Sequence, residues 1–366
     1  MVLVTTLNKL QHVLQSTNTD AVLLQSQSNV FYATGFNANP HERLIGVFIF
    51  KDHEPILICP SMEVNQISDV FKGEIIGYKD TQNPWDLLKE RLQDVQLSSI
   101  ALEGGISWSR YRSLSALYPD ASYTEFDATL QQLRQVKSDE EITIMREACK
   151  LADLGVQIGI DALRTGVTET EVIAHIEHQL KTHGVRAMSF STLVLFGEKA
   201  GDPHGNPGDR KLQPGDAVLF DLGVIHKGYC SDISRTVFYG HASEEQTNIY
   251  TTVLEAQQKA LEHSAPGRAL KELDILARTH IAEAGYGDFF PHRLGHGLGI
   301  DVHEAPYVTE TNEQVLEPGF TFTIEPGIYV PNKAGVRIED DVLVTESGYE
   351  TLTSFTKELT VVKERV

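Results

Sequence analysis

The sequence predicts an α+β protein of two domains, the second assembled from two repeated halves. Residues 1–125 alternate helical and strand-like segments, as an independent α/β domain does. A helix–helix–hairpin pattern then occurs twice at near-constant offsets: Ser138 to Ser243 is 105 residues, Gly166 to Gly267 is 101 and Asp221 to Glu325 is 104. Each copy ends in two β-rich runs that flank a short polar turn and carry a pair of acids. A chain of 366 residues is long enough for two or three domains with buried cores.

In the first domain Leu7 to Leu14 reads as an amphipathic helix. Ala21–Leu24, Leu44–Phe50 and Pro55–Cys59 read as buried strands, and Trp85–Leu97 as a helix. A break near Phe126–Val136 sets the expected domains at residues 1–127 and 128–366. Ser138-Asp-Glu-Glu141 is a capping box, serine as N-cap and glutamate three residues on. Apolar residues follow at helical spacing, Ile142, Met145, Cys149, Ala152, Val156, Ile160 and Leu163, until Gly166 ends the pattern. Thr168-Glu-Thr-Glu171 caps a second helix running to about Gly184. Ser243-Glu-Glu-Gln246 opens the corresponding helix through Ile249, Val253, Ala256 and Ala260, closed by Pro266-Gly267, and Ala269 to about Ala284 follows as a fourth.

The hairpins place the acids. Folding the first about His226–Lys227 opposes residues whose numbers sum to 453, which sets Asp221 against Asp232 with Cβ atoms roughly 5 Å apart. Folding the second about residue 332 sets Glu325 against Glu339. Any one of these taken alone is better read as a solvated strand carboxylate. Two opposed pairs on apolar strands are not, because facing acids repel and lose hydration unless a cation intervenes. Four carboxylates and His296 suit two divalent ions held side by side, since carboxylate oxygens bridge and their charge offsets the cations. Such a pair makes hydroxide from water at neutral pH, which points to a hydrolase.

His296 lies in Gly295-His296-Gly297, where glycines let backbone approach a ligand. By itself the segment is equally well a turn with an incidental histidine, but with four acids placed the ligand reading prevails. His303 follows seven residues on, and His204 sits in the turn-rich loop Gly201–Gly208. A lone loop histidine is ordinarily solvated. His175 and His178 stand one turn apart without a third ligand and read as exposed helix residues, as His226 and His241 read as exposed.

The formal charge of −20 disfavours nucleic-acid binding, which needs clustered Lys and Arg. No apolar run approaches 18 residues, so no membrane span is expected. The first ten residues lack a basic region and long apolar stretch, and Cys59, Cys149 and Cys230 are few and scattered; the expected compartment is the cytoplasm.

Six runs together carry a resemblance: Phe220–Gly223, Ser231–Thr236, Gly295–Gly299, Val302–Pro306, Glu325–Tyr329 and Gly335–Asp340. The chain resembles the pita-bread metallopeptidases, the group of methionine aminopeptidase, aminopeptidase P and prolidase. Ser28–Phe36 looks like the creatinase-type N-terminal domain of prolidases, and Lys137-Ser-Asp-Glu-Glu141 matches their inter-domain junction. Nearly end to end, the chain is similar to short bacterial Xaa-Pro dipeptidases. The resemblance implies that Asp221 binds one metal, His296 and Glu325 the other, and that Asp232 and Glu339 bridge both. Manganese is favoured by oxygen-rich ligation, with cobalt or zinc as alternatives. Glu325 would relay a proton to the leaving nitrogen. His303 and His204 would steady the tetrahedral intermediate and substrate, His292 would lie near the substrate, and Arg337 would orient an acid or bind substrate. Arg293 is a candidate for the substrate carboxylate; Val308–Gly319 lacks the arginine that a longer prolidase form carries before its Glu325 counterpart.

The implied activity is metal-dependent hydrolysis of dipeptides with proline second, by a homodimer whose Asn37–Arg43 loop caps the partner's cleft. The alternatives are aminopeptidase P activity on tripeptides and longer, a metal-free creatinase-like C–N hydrolase, and a binding protein on the same fold. The last two lose ligands that are all present here.

Overall fold

The computed structural model describes residues 2–203, 205–331 and 333–365, which fall into two compact units, 1–133 and 134–366. The division lies six residues beyond the expected one because Leu130 belongs to the core of the first unit. His204 lies outside the described residues.

The first unit is a six-stranded mixed sheet in the order Glu74–Tyr78, Ile56–Pro60, Gly46–Phe50, Ala21–Leu24, Ser99–Leu102, Ser122–Glu125. Its central strands are buried along their whole length, as continuous apolar runs require when both faces are covered. Two apolar cores result, one holding Val22, Leu24, Val47 and Ile49, the other Leu23, Phe48 and Phe50. The helix expected over Trp85–Leu97 spans only Pro84–Arg91, where Asn83 caps its start. The amphipathic segment at Leu7–Leu14 lies inside a helix over Val2–Thr17.

The second unit realises the repeat. Helices Asp139–Asp161 and Glu169–Thr182 both start in complete capping boxes, at Ser138/Glu141 and Thr168/Glu171. Their buried faces pack with strands Leu193–Phe196, Ala217–Leu222 and Ile233–Tyr239 in one core. In the second half the capping box Ser243/Gln246 opens helix Glu244–Glu262, and Leu270–Glu283 follows. These pack with strands Thr321–Ile324 and Asp340–Val344 in a second core that includes Phe322, Ile324, Val342 and Val344. Each fully buried side chain of this size contributes about 1.5–3 kcal/mol. Isolated bridges recur at equivalent places, Thr168 with Lys211 and Ala269 with Val315. Cys59, Cys149 and Cys230 are buried free thiols, and no helix among the described residues is long and apolar enough to cross a membrane.

Candidate metal centre

The first hairpin turns at Lys227-Gly228 rather than His226–Lys227, with φ of 47° and 89° and His226 paired to Tyr229. A two-residue turn of this kind needs positive φ twice, and glycine takes the second place without strain. The register therefore moves by two: Asp221 stands opposite Ser234, not Asp232. Asp232 precedes the strand Ile233–Tyr239 as a diagonal neighbour of Asp221 on the same face. The second hairpin keeps the expected register, since Ile324 pairs with Asp340 and Gly327 with Arg337. Glu325 and Glu339 sit at the interruption between these two ladders. The Glu325 amide donates to Leu294 O at 2.9 Å, and that of Glu339 to Ser234 O at 3.1 Å, so Glu339 is tied to the first hairpin. His296 is the middle residue of Gly295–Gly297, its amide on Thr323 Oγ1 at 3.1 Å. A Cβ at Gly295 would lie 1.9 Å from Thr323 O, which explains one flanking glycine as close backbone approach.

The five side chains converge. Asp221, Asp232 and Glu339 bring one oxygen each within 4.8 Å of one another, and so do the ligand atoms of His296, Glu325 and Glu339. Glu339 belongs to both groups, and Asp232 to a third with His296 and His303. His296 Nδ1 lies 3.1 Å from Gly297 O and donates to it, which leaves Nε2 as a bare lone pair. That lone pair faces Glu325 Oε1 at 3.3 Å and Asp232 Oδ2 at 3.8 Å. Lone pairs held against carboxylates repel unless a cation lies between them.

The electrostatics agree. Burial, then Glu339, Asp221, Asp341 and Glu325, hold the Asp232 carboxyl well above the carboxylate range. Glu339 is raised by burial, Glu325 and Asp221. Burial lifts Glu325 to about 7 against the opposing pull of Arg337. Burial, with His303 beside it, pushes His296 down to about 3, so the ring is neutral and able to ligate. Asp232 Oδ1 is buried without a hydrogen-bond partner. An orphaned carboxylate oxygen among mutually repelling acids fits a divalent-cation site. The donor set fits hard or borderline cations.

Arg337 is buried; burial disfavours its charge, but Tyr329, Asp221, Glu339 and Glu325 outweigh that and keep it protonated. Its guanidinium hydrogen-bonds Asp221, Ser234 Oγ at 2.7 Å and Tyr329 Oη at 2.8 Å. His292 Nδ1 donates to Arg293 O at 2.8 Å, so Nε2 accepts from Tyr329 Oη at 2.9 Å. His303 is exposed at the cleft, its ring centroid 4.0 Å from that of His296. Arg293 lies over the Tyr307 ring at 4.5 Å. A cleft of about 600 Å³ holds His292, Arg293, His303 and Arg337 together with the five candidate ligands, and Phe190, Leu193 and Pro203 add an apolar side. All the predicted site residues among those described thus meet at one place. Sequence reasoning missed Ser234, Tyr329 and Asp341, which accepts the Asp232 amide at 3.0 Å. For Ser234 and Tyr329 a position inside a motif run was the one available signal, while Asp341 lies just beyond the last run.

Residues 143–346 match metallopeptidase family M24, and residues 7–136 match the creatinase/prolidase N-terminal domain. The chain belongs to family M24. It is therefore a metallopeptidase, with the pita-bread fold in its second unit. This M24 chain is 49% identical to YkvY of Bacillus subtilis, provisionally named a dipeptidase, over 97% of its own length and 100% of that protein's. The prolidase of Pyrococcus horikoshii superposes with a TM-score of 0.89 at 35% identity, covering 97% of this chain and 99% of that one. The X-Pro aminopeptidase of Thermotoga maritima gives 0.89 at 32%, covering 96% and 99%.

Proposed function

We propose that this metallopeptidase hydrolyses Xaa-Pro dipeptides at a centre of two divalent cations. The observation that carries the reading is the shared membership of Glu339 in two ligand groups, which suits a carboxylate bridging two ions. Asp221 would hold one ion, His296 and Glu325 the other, and Asp232 and Glu339 both. Divalent cations supply Lewis acidity that polarises a carbonyl and acidifies water to near neutral pH. Manganese suits the oxygen-rich set, with cobalt and zinc as alternatives.

Within that centre Arg337 keeps Asp221 oriented, and Ser234 links Arg337 to Glu339. Glu325, beside the cleft, would take a proton from the attacking water and pass it to the leaving imino nitrogen. His303 at the cleft edge, with His204, would steady negative charge on the attacked carbonyl oxygen. His292, hydrogen-bonded to Tyr329 Oη, would contact the substrate, and Arg293, which lines the cleft, would meet its carboxylate. Proline's tertiary amide has no N–H to satisfy, so an apolar side such as Phe190 and Leu193 accommodates the ring. We also assign a cytoplasmic homodimer in which the Asn37–Arg43 loop closes the partner's cleft and limits peptide length; Arg43 in this loop pairs with Asp80 at 3.0 Å.

The second reading is aminopeptidase activity on tripeptides and longer, favoured by the likeness to the Thermotoga enzyme. Rates on Ala-Pro, Leu-Pro and Ala-Pro-Ala with Mn²⁺ separate the two. Faster proline release from the dipeptides is expected; preferential cleavage of Ala-Pro-Ala would replace the first reading with the second.

A further inference from the structure

We infer that Lys137 and Arg134 are positioning residues for His303, acting through Glu304. The inference rests on the proposed role of His303 at the centre. It joins two motifs that the resemblance singled out, Lys137-Ser-Asp-Glu-Glu141 and His303-Glu-Ala-Pro306, and gives Lys137 and Glu304 the roles they lacked.

Lys137 Nζ donates to Glu304 Oε1 at 2.7 Å, with both side chains under 10% exposed. Arg134 Nη2 bonds Glu304 Oε2 and reaches Asp301 Oδ2 at 2.8 Å. Glu304 is thus gripped on both oxygens, and the grip extends to Asp301 on the other side of His303. The segment that supplies the grip is itself anchored. Val136 bridges Phe320, and the Lys137 amide donates to Gly319 O at 2.9 Å, just ahead of the strand Thr321–Ile324 that leads to Glu325. At the other end Glu304 opens a strand and pairs with Gly297, the neighbour of His296. His303 is therefore held between a paired residue on one side and a doubly bound loop on the other, which fixes where its ring meets His296.

The chemistry argues against a purely stabilising cluster. Burying several charges is expensive in desolvation, and apolar groups of like volume generally stabilise as well or better. A doubly bound carboxylate does what apolar packing cannot: it fixes direction as well as place. Displacement of a catalytic group by about 1 Å is enough to lower a rate on the order of a hundred-fold.

The test is a mutant cycle on the Mn²⁺-loaded protein with Ala-Pro as substrate, reading kcat, KM and bound Mn²⁺. H303A is expected to lower kcat by about a hundred-fold. K137M and E304Q are each expected to lower kcat by about ten-fold, with KM and bound Mn²⁺ within about two-fold of wild type. In the H303A background K137M should change kcat by less than about two-fold, because the residue through which it acts is gone. K137R, which keeps the charge, should stay within about three-fold of wild type. Should K137M not fold, E304Q completes the same cycle with a near-isosteric change. Equal effects of K137M, or of E304Q in its place, with and without His303 overturn the inference while leaving the proposed function standing. An unchanged kcat in H303A overturns the inference together with the role proposed for His303.

Discussion

Ser234 donates its hydroxyl to Glu339 Oε2 at 2.6 Å while accepting from Arg337 Nε at 2.7 Å. Residue 234 comes from the first hairpin and residue 339 from the second, so one small hydroxyl couples the two halves of the repeat at the candidate centre. Ser234→Ala leaves a buried guanidinium N–H without its acceptor. An unfolding free energy lower by about 1–3 kcal/mol is expected, with Mn²⁺ bound more weakly. Calorimetry on the chelated and loaded forms checks both; unchanged stability and affinity would show that the hydroxyl is idle.

In metal-free protein the raised carboxyls govern the pH dependence. Glu325 moves from an ordinary 4.5 to about 7, and Asp232 and Glu339 are raised as well. A raised acid holds its proton longer in the folded state than in the unfolded one, so its contribution is complete below pH 4.5 and is lost as pH climbs through 7. His296, lowered from 6.5 to about 3, acts in the opposite sense below pH 6.5, but it is one group against three. The Tm of chelated protein should therefore fall between about pH 5 and pH 7. Mn²⁺ should restore it most at the upper end, where fewer protons compete with the cation for the carboxylates. A Tm of the chelated form that rises across this window would refute the assignment.

Gly295 is required by crowding. With a Cβ 1.9 Å from Thr323 O, Gly295→Ala must part the strands on which His296 and Thr323 lie. A loss of about 1–3 kcal/mol is expected, along with metal affinity, whereas Gly348→Ala, where a Cβ meets nothing within 4 Å, should bind Mn²⁺ as wild type does. Equal behaviour of the two variants would contradict the geometry.

The loop proposal is tested by length preference. Replacing Asn37–Arg43 with a short glycine linker should raise the rate on Ala-Pro-Ala relative to Ala-Pro by about ten-fold or more, a loss of discrimination of about 1.4 kcal/mol. An unchanged ratio would remove the loop from the account.

The repeat, the capping boxes and the second hairpin were legible because each rests on local chemistry: serine or threonine with an acid or amide three residues on, and a turn whose two arms carry apolar β residues. The first hairpin was misread by two positions, since periodicity alone does not say which two residues occupy the turn. The positive φ at Lys227 decided it. Because the shift was even, Asp221 and Asp232 kept the same face and the site survived the error. The helix after Pro84 was read too long at its C-terminal end, where apolar spacing continued past the last helical residue. Ser234 and Tyr329 could not be read as site residues because their roles depend on partners about a hundred residues away, or across a ladder, rather than on any local pattern.

The most direct test is titration of chelated protein with Mn²⁺ while proline release from Ala-Pro is followed, beside the variant Glu339→Gln. The account predicts no activity after chelation, recovery that saturates near about two ions per chain, and loss of both binding and turnover in Glu339→Gln. Full activity in the chelated protein, or wild-type turnover in Glu339→Gln, would contradict it.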